Sequence, residues 1–402
     1  MAAVYLDHNS TTPLDPRVRE AMLPWLGASH GNPSSLHRFG QAARNAVEEA
    51  REQVAALLGA SPPEIVFTAS GTEANNAVLA SAAGGDGGHL VISALEHPSI
   101  RESAARLERG GVAVTRVPPA GDGVVPAGAV TAALRGDTRL ACLMLANNEV
   151  GTLQPVEEVA AECRHRSIAV LCDAVQAVGK IEVRVDRLGV DFLTLGGHKF
   201  HGPLGAAALW VRGGRELAPL LVGGSQERRR RAGTENVPAI VGLGAAAAIA
   251  MAELDERRAH LAALRDRCEE GLAGIPGAAV HCRTAPRLPN TSHVSFAGVE
   301  GESLLIRLDI AGFAVSTGSA CASGTVEPSE TLLAMGLPAD EALSSLRVSF
   351  GMTNTVREVD AFLAALAREV AELRRFAPAA ARTAPTAVAV PAAVTAAALE
   401  RR

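Results

Sequence analysis

From about Arg38 to Val211 apolar residues fall into two alternating patterns, one at helical spacing and one in short continuous runs rich in Val, Ile, Leu and Phe. The helical spacing predicts helices over 41–58 and 72–83, and the short runs predict strands at 65–68, 90–93, 112–117, 140–146, 168–172, 192–195 and 206–211. Continuous apolar runs bounded by turn residues suit strands buried on both faces, so the alternation predicts an α/β layer with a mostly parallel sheet. A Gly/Arg-rich loop over 223–233 closes this block. After Asn236 the helical reading continues to about Gly274, which predicts one long helix bridging into a smaller α+β unit. In that unit a strand falls at 291–296, a helix at 302–310, a loop at 316–327 and a strand at 346–350. From Ala377 the chain is Ala/Pro/Thr/Val with almost no charge until its last three residues, a composition expected to be disordered. The expected division is therefore a large α/β domain over 15–256, a small α+β domain from 1–14 and 257–376, and a tail over 377–402.

The length of 402 residues exceeds what one hydrophobic core usually supports, in keeping with two domains. With 48% hydrophobic residues, 20% charged and a net charge of -5, the chain has no electrostatic footprint for nucleic acid or an anionic membrane. Aromatics at 3% leave little to stack on bases. Two uncharged runs, 237–252 and 383–399, are short and broken by Gly or Pro, and neither reads as a membrane span. The six cysteines, Cys142, Cys163, Cys172, Cys268, Cys282 and Cys321, contain no C-x-x-C pair, which argues against a zinc site or a disulfide framework. Asp7 and His8 stand where a signal peptide would need basic and then apolar residues, so a cytoplasmic location is expected. Of 38 Lys+Arg only Lys180 and Lys199 are lysine, leaving 36 arginines. Arginine stays protonated, whereas a desolvated lysine can become an amine nucleophile. Amine chemistry is thereby confined to two residues.

Three segments suggest what that chemistry is. Phe67-Thr68-Ala69-Ser70-Gly71-Thr72-Glu73 runs from a strand through small residues into a helix start, which suits an anion and equally suits an ordinary capped helix. Asp173 closes the apolar strand Val170-Leu171-Cys172-Asp173, where open α/β sheets bind ligands; alone it also reads as a capping residue. Lys199, in Leu195-Gly196-Gly197-His198-Lys199, follows another apolar strand and is enclosed by Gly, His and Pro, a setting that lowers a lysine pKa. Lys180 has Glu182 nearby in an ordinary turn and reads as structural. An acid after one strand and a lysine 26 residues on, joined to an anion site, fit pyridoxal phosphate, which needs all three. Cys321 sits among Gly, Ser and Ala in a polar loop that suits a nucleophilic thiol, while the other five cysteines read as packing residues.

These segments, with Tyr5-Leu6-Asp7-His8-Asn9-Ser10-Thr11-Thr12-Pro13, Gly31-Asn32-Pro33-Ser34-Ser35, Glu96-His97, Asn147-Asn148-Glu149-Val150-Gly151, Arg231-Ala232-Gly233-Thr234-Glu235-Asn236 and Gly318-Ser319-Ala320-Cys321, resemble the cysteine desulfurases of the NifS/IscS type. Those are fold-type I pyridoxal-phosphate enzymes of the class V aminotransferase group, and the resemblance runs from about Val4 to Arg375. It implies a homodimer that converts L-cysteine to L-alanine and passes sulfur to Cys321 as a persulfide, for an iron–sulfur scaffold or a thiolation protein. A selenocysteine lyase or aminotransferase on the same fold, or a non-catalytic sulfur-relay protein, are the alternatives. The resemblance further implies that Lys199 forms the Schiff base, that His97 stacks on the ring and moves protons, and that Asp173 pairs with the ring nitrogen. By the same likeness Gln176 and Asn148 address the ring hydroxyl and the substrate, and Arg347 grips the substrate carboxylate. Gly71, Thr72, Gly197 and His198 would hold the phosphate, with Thr234 reaching it from the second subunit. No intrinsic metal is implied, although Cys321 could ligate a cluster transiently with a scaffold protein. Gly196 departs from the family, which usually has Ser at that position; its backbone N–H or water would stand in for the hydroxyl.

Overall fold

The computed structural model of the chain describes residues 3–82, 87–317 and 327–376. In chain order it runs β1 (Val4–Tyr5), α1 (Pro16–Leu26), α2 (Arg38–Leu58), β2 (Ile65–Thr68), α3 (Gly71–Ala82), β3 (His89–Ser93), α4 (Pro98–Arg109), β4 (Ala113–Val117), α5 (Ala127–Ala133), β5 (Thr138–Cys142) and α6 (Val156–His165). It continues through β6 (Ala169–Asp173), α7 (Val185–Leu188), β7 (Phe192–Gly196), β8 (Ala207–Val211), α8 (Val237–Ala252), α9 (Leu254–Leu272), β9 (Ala278–Val280) and β10 (Thr291–Phe296). The last elements are α10 (Gly301–Ile310), β11 (Phe313–Ala314), α11 (Glu330–Ala334), α12 (Ala339–Leu343), β12 (Ser345–Ser349) and α13 (Val356–Phe376).

Seven strands form the main sheet in the order β2-β8-β7-β6-β5-β3-β4. The β3–β4, β3–β5, β5–β6 and β6–β7 pairs are parallel, and β8 pairs antiparallel with β2 and β7. Every residue of β2, β7 and β8 is buried, as expected of strands covered by helices on both faces. The mostly parallel sheet flanked by helices, predicted from the apolar runs, is thus the fold. One apolar core packs Val47, Val54 and Leu58 of α2 and Ile240 and Leu243 of α8 with the sheet. A separate core joins Leu6, Leu261 and Leu264 to Val294, Phe296, Leu346, Val348 and Phe362 around the three-stranded sheet β12-β10-β9.

Two expectations change. The single long helix predicted after Asn236 is two helices, α8 and α9, bent by 77° at Glu253. α8 is apolar almost all round and is buried against α1 and α2, whereas α9 carries charge on much of its surface. Glu253 at the bend accepts from Arg17 at 2.5 Å and from Arg257 at 3.0 Å, so the break is held by ion pairs. The strand predicted over 140–146 ends at Cys142. Beyond it the Met144 amide donates to Glu96 Oε1 at 2.8 Å, and the chain turns toward the cavity described next.

Candidate active site

A cavity of about 360 Å³ opens at the carboxyl ends of the parallel strands, where open α/β sheets hold their ligands. β6 ends on Asp173, β7 leads into His198 and Lys199, the loop after β3 brings His97 as the cap of α4, and the segment after β5 brings Asn148. α3 points its N-terminus at the cavity through Ser70, Gly71 and Thr72, and β12 contributes Arg347. Gln176, three residues past Asp173, completes the wall on that side.

The Lys199 amine donates to the carbonyl oxygens of Asn9 and Ser10, each at 2.7 Å. Burial, with Arg347 adding to it, pushes its pKa down to about 8, while Asp173 and Asp7 pull the other way. About a tenth of the amine is therefore unprotonated at neutrality, far more than for an ordinary lysine, and able to attack a carbonyl. Burial also pushes His198 down to about 4, with Lys199 and Lys180 contributing. His198 thus presents a neutral ring, bonded through Nδ1 to Thr11 Oγ1 at 3.2 Å.

His97 accepts the Ser99 N–H on Nδ1 at 3.1 Å, which leaves the ring's own proton on Nε2 in the neutral form. Desolvation lowers its pKa, against the raising pull of Asp173. Asp173 is buried; its Oδ1 accepts from the Val175 amide at 3.0 Å and its Oδ2 from Asn75 Nδ2 at 2.8 Å. Among the described residues no Lys or Arg pairs with it. A buried carboxylate without a protein cation suits a cationic ring nitrogen.

At the opposite end, the first amides of α3 have no carbonyl one turn back, and the helix dipole favours an anion there. A Cβ on Gly71 would come within 2.8 Å of Val175 Cγ2, so the chain passes closely there and needs glycine. Arg347 is buried, with Nη1 donating to Asn148 O at 2.9 Å and Nη2 to Asp7 Oδ1 at 2.6 Å and Ser10 Oγ at 2.9 Å. The cavity therefore offers an anion site, an acid, an amine and a guanidinium along its walls.

Not every predicted residue lies there. Gly196 and Gly197 stand back from the cavity, and the Gly197 amide already donates to Ala206 O at 3.0 Å, so it is not free for a phosphate. Thr234 is exposed and away from the cavity within one chain. Cys321 lies outside the described residues. Lys180 does not sit in a solvated turn beside an acid: it is 4% exposed, and Glu182 pairs with Arg187. Asn9, Ser10, Ser70, Asn75 and Ser99 line the cavity without having been assigned a role. For Asn75 a signal existed, since it falls one helical turn after Gly71 and shares its face.

A profile of the aminotransferase class-V family matches residues 4–362. The chain belongs to that family. Within it, the chain is 44% identical over 381 residues to the cysteine desulfurase of Trichormus azollae, covering 94% of this chain and 95% of that one. A solved structure titled NifS-like protein superposes with a TM-score of 0.86 at 37% identity, covering 92% of this chain and all (100%) of the other. Another, described as SspA in complex with cysteine, gives a TM-score of 0.77 at 34% identity over 86% of this chain and 98% of that one.

Proposed function

We propose that the chain is a pyridoxal-phosphate-dependent cysteine desulfurase, forming L-alanine from L-cysteine and leaving the sulfur on Cys321. The observation that carries this reading is the meeting of Lys199, His97, Asp173 and Arg347 around one cavity in a class-V chain. The donor set fits the cofactor: an amine of lowered pKa for its aldehyde, a buried unpaired acid for its ring nitrogen and a helix N-terminus for its phosphate. Bound there, pyridoxal phosphate supplies an electron sink for bonds broken next to an amino acid's α-carbon.

Each residue then has a task. With the cofactor bound, Lys199 would hold it through Nζ, and the same amine would accept a proton from the substrate's α-carbon. His97, at the cavity's edge, would exchange a proton through Nε2. Asp173 would keep the ring nitrogen protonated, and Asn148 and Gln176 would serve the ring hydroxyl and the substrate. Gly71, Thr72 and His198 would hold the phosphate. Arg347 receives the substrate carboxylate on its guanidinium, a geometry that suits arginine. In the sulfur step the substrate C–S bond breaks, an S–S bond forms on Cys321, and the substrate carbon takes up a proton to leave as alanine.

A homodimer belongs to this reading, with Thr234 of each chain serving the phosphate site of the other. The exposed Leu26, Leu36, Leu204 and Val222 are apolar side chains that such an interface would cover. The bend between α8 and α9 and the distinct main cores of the seven-stranded and three-stranded sheets support a division into 15–256 and the remainder. The cysteines described, Cys142, Cys163, Cys172, Cys268 and Cys282, are free thiols, which fits the cytoplasm. The acceptor is a protein of iron–sulfur assembly or of thiolation.

Incubation of the purified protein with L-cysteine and a thiol reductant tests the activity. Alanine and sulfide should appear in equal amounts without a keto acid. Cys321→Ala should keep the visible cofactor band and release no sulfide; undiminished sulfide would overturn the role of Cys321, and a requirement for a keto acid would make the protein an aminotransferase.

A further inference from the structure

The reaction above leaves Lys180 without a task, although it is the chain's only lysine besides Lys199. Its buried Nζ donates to Gln176 Oε1 at 2.7 Å and to Asn9 Oδ1 at 3.3 Å. No carboxylate pairs with it among the described residues. Burying an amine between neutral acceptors is costly, so a surface lysine's ordinary freedom has been given up for these two contacts.

The contact with Gln176 carries directional information. A primary amide has a donor end and an acceptor end of nearly equal shape, and its neighbours decide which faces where. Here Oε1 receives Lys180, and Nε2 donates to the Asn9 carbonyl at 2.8 Å. Turning the amide over would set its oxygen against that carbonyl and its NH₂ against the amine. Nε2 keeps a second N–H, and Gln176 lines the cavity. Asn9 is fixed as well, its Oδ1 receiving Asn290 at 3.0 Å and its backbone oxygen also receiving Lys199 at 2.7 Å.

We propose that Lys180 is a positioning residue: it locks Gln176 so that an N–H, not the carbonyl, meets the ring hydroxyl oxygen of the cofactor and favours that oxygen in its ionised form. Burial, then Lys199 and Arg347, lower the Lys180 pKa well below its ordinary value, while its two acceptors, Gln176 Oε1 and Asn9 Oδ1, fix where its N–H groups point. The inference rests on the desulfurase reading only in taking pyridoxal phosphate as the cofactor.

Binding of two ligands to the cofactor-free full-length protein tests it: pyridoxal phosphate and its 3-deoxy analogue, which lacks the ring hydroxyl. Lys180→Met should weaken pyridoxal phosphate about tenfold, the order expected for one hydrogen bond to a charged oxygen, and weaken the analogue less than about twofold. Gln176→Ala should give the same pattern, and the double variant should lose no more than either single one. Lys180→Gln, too short to reach both acceptors, is a second variant read in the same way should Lys180→Met not fold. Equal losses for both ligands would make Lys180 merely structural, and undiminished affinity or additive losses would also overturn the proposal. If the parent protein binds neither ligand, the cofactor assignment itself fails, which is a separate outcome.

Discussion

Asn75 donates one N–H to Asp173 Oδ2 at 2.8 Å and another to Ser99 Oγ at 3.0 Å. Ser99 in turn bonds His97 Nδ1 through its hydroxyl at 2.9 Å and its amide at 3.1 Å. The acid beneath the cavity and the imidazole at its edge are therefore held by one chain of hydrogen bonds anchored on α3, buried at the Asp173 end.

Removing Asn75 takes a donor from Asp173 Oδ2 and from Ser99 Oγ. Asn75→Ala should cost about 1–3 kcal/mol in unfolding of the cofactor-free protein, because two buried acceptors lose a donor. It should also lower kcat/KM for cysteine about tenfold. Asn75→Asp should be worse at neutral pH, since a second carboxylate would face Asp173. Urea unfolding and steady-state kinetics measure both effects, and an Asn75→Asp protein equal to the parent would refute the coupling.

The depressed Lys199 pKa predicts how the cofactor returns to the stripped protein. Only the free amine attacks the aldehyde, so the rate of recombination should climb with pH and level off above about 8. Arg347 adds to the depression, and Arg347→Gln should move the midpoint upward. Stopped-flow absorbance across pH 6 to 10 gives the curve; a midpoint near 10.5, the ordinary lysine value, would show that burial does not act on this amine.

Much of this arrangement was legible in the residues. β6 and β7 appear within a residue of their apolar runs, because burial on both faces leaves a continuous hydrophobic signature, whereas the run at 140–146 continues four residues past the end of β5. Asp173 and Lys199 stood out because charge at the end of such a run is conspicuous. What was not legible depends on distance along the chain. Asn75 meets Asp173 across 98 positions, and Lys180 meets Asn9 across 171, so neither contact leaves a local pattern. Glu182 lies beside Lys180 in sequence, yet its partner in space is Arg187. The break at Glu253 was hidden because Ala-rich and Arg/Glu-rich sequences are both good helix formers, and only their packing partners differ.

Arg347 is held before any substrate arrives. Its guanidinium is fixed by Asp7, Ser10 and the Asn148 carbonyl, which presets the fork for a carboxylate. Arg347→Lys supplies a point charge that cannot hold these partners and a bidentate ligand together. kcat/KM for cysteine should fall about ten- to a hundredfold, mostly through KM, as expected for losing one charge-assisted hydrogen bond. An unchanged KM with a lowered kcat would instead assign Arg347 to the chemical step.

Glu96 predicts a pH dependence of stability that is independent of catalysis. Its carboxyl is buried, with Oε1 accepting the Met144 amide at 2.8 Å and Oε2 unpartnered among the described residues. Burial pushes its pKa from 4.5 up to about 8; the Met144 N–H opposes this and the charge of Asp173 adds to it. The folded protein therefore keeps a proton that the unfolded chain releases. Glu96's contribution to stability is complete below pH 4.5 and declines as pH rises, until the folded carboxyl itself ionises near 8. Glu96→Gln keeps the acceptor for Met144 but cannot ionise, so it should remove that decline. Relative to the parent, the variant should gain about 1.4 kcal/mol for each pH unit crossed within the window. Urea unfolding at pH 5, 6, 7 and 8 measures this directly, and parallel curves for parent and variant would mean that Glu96 is ionised in the folded state.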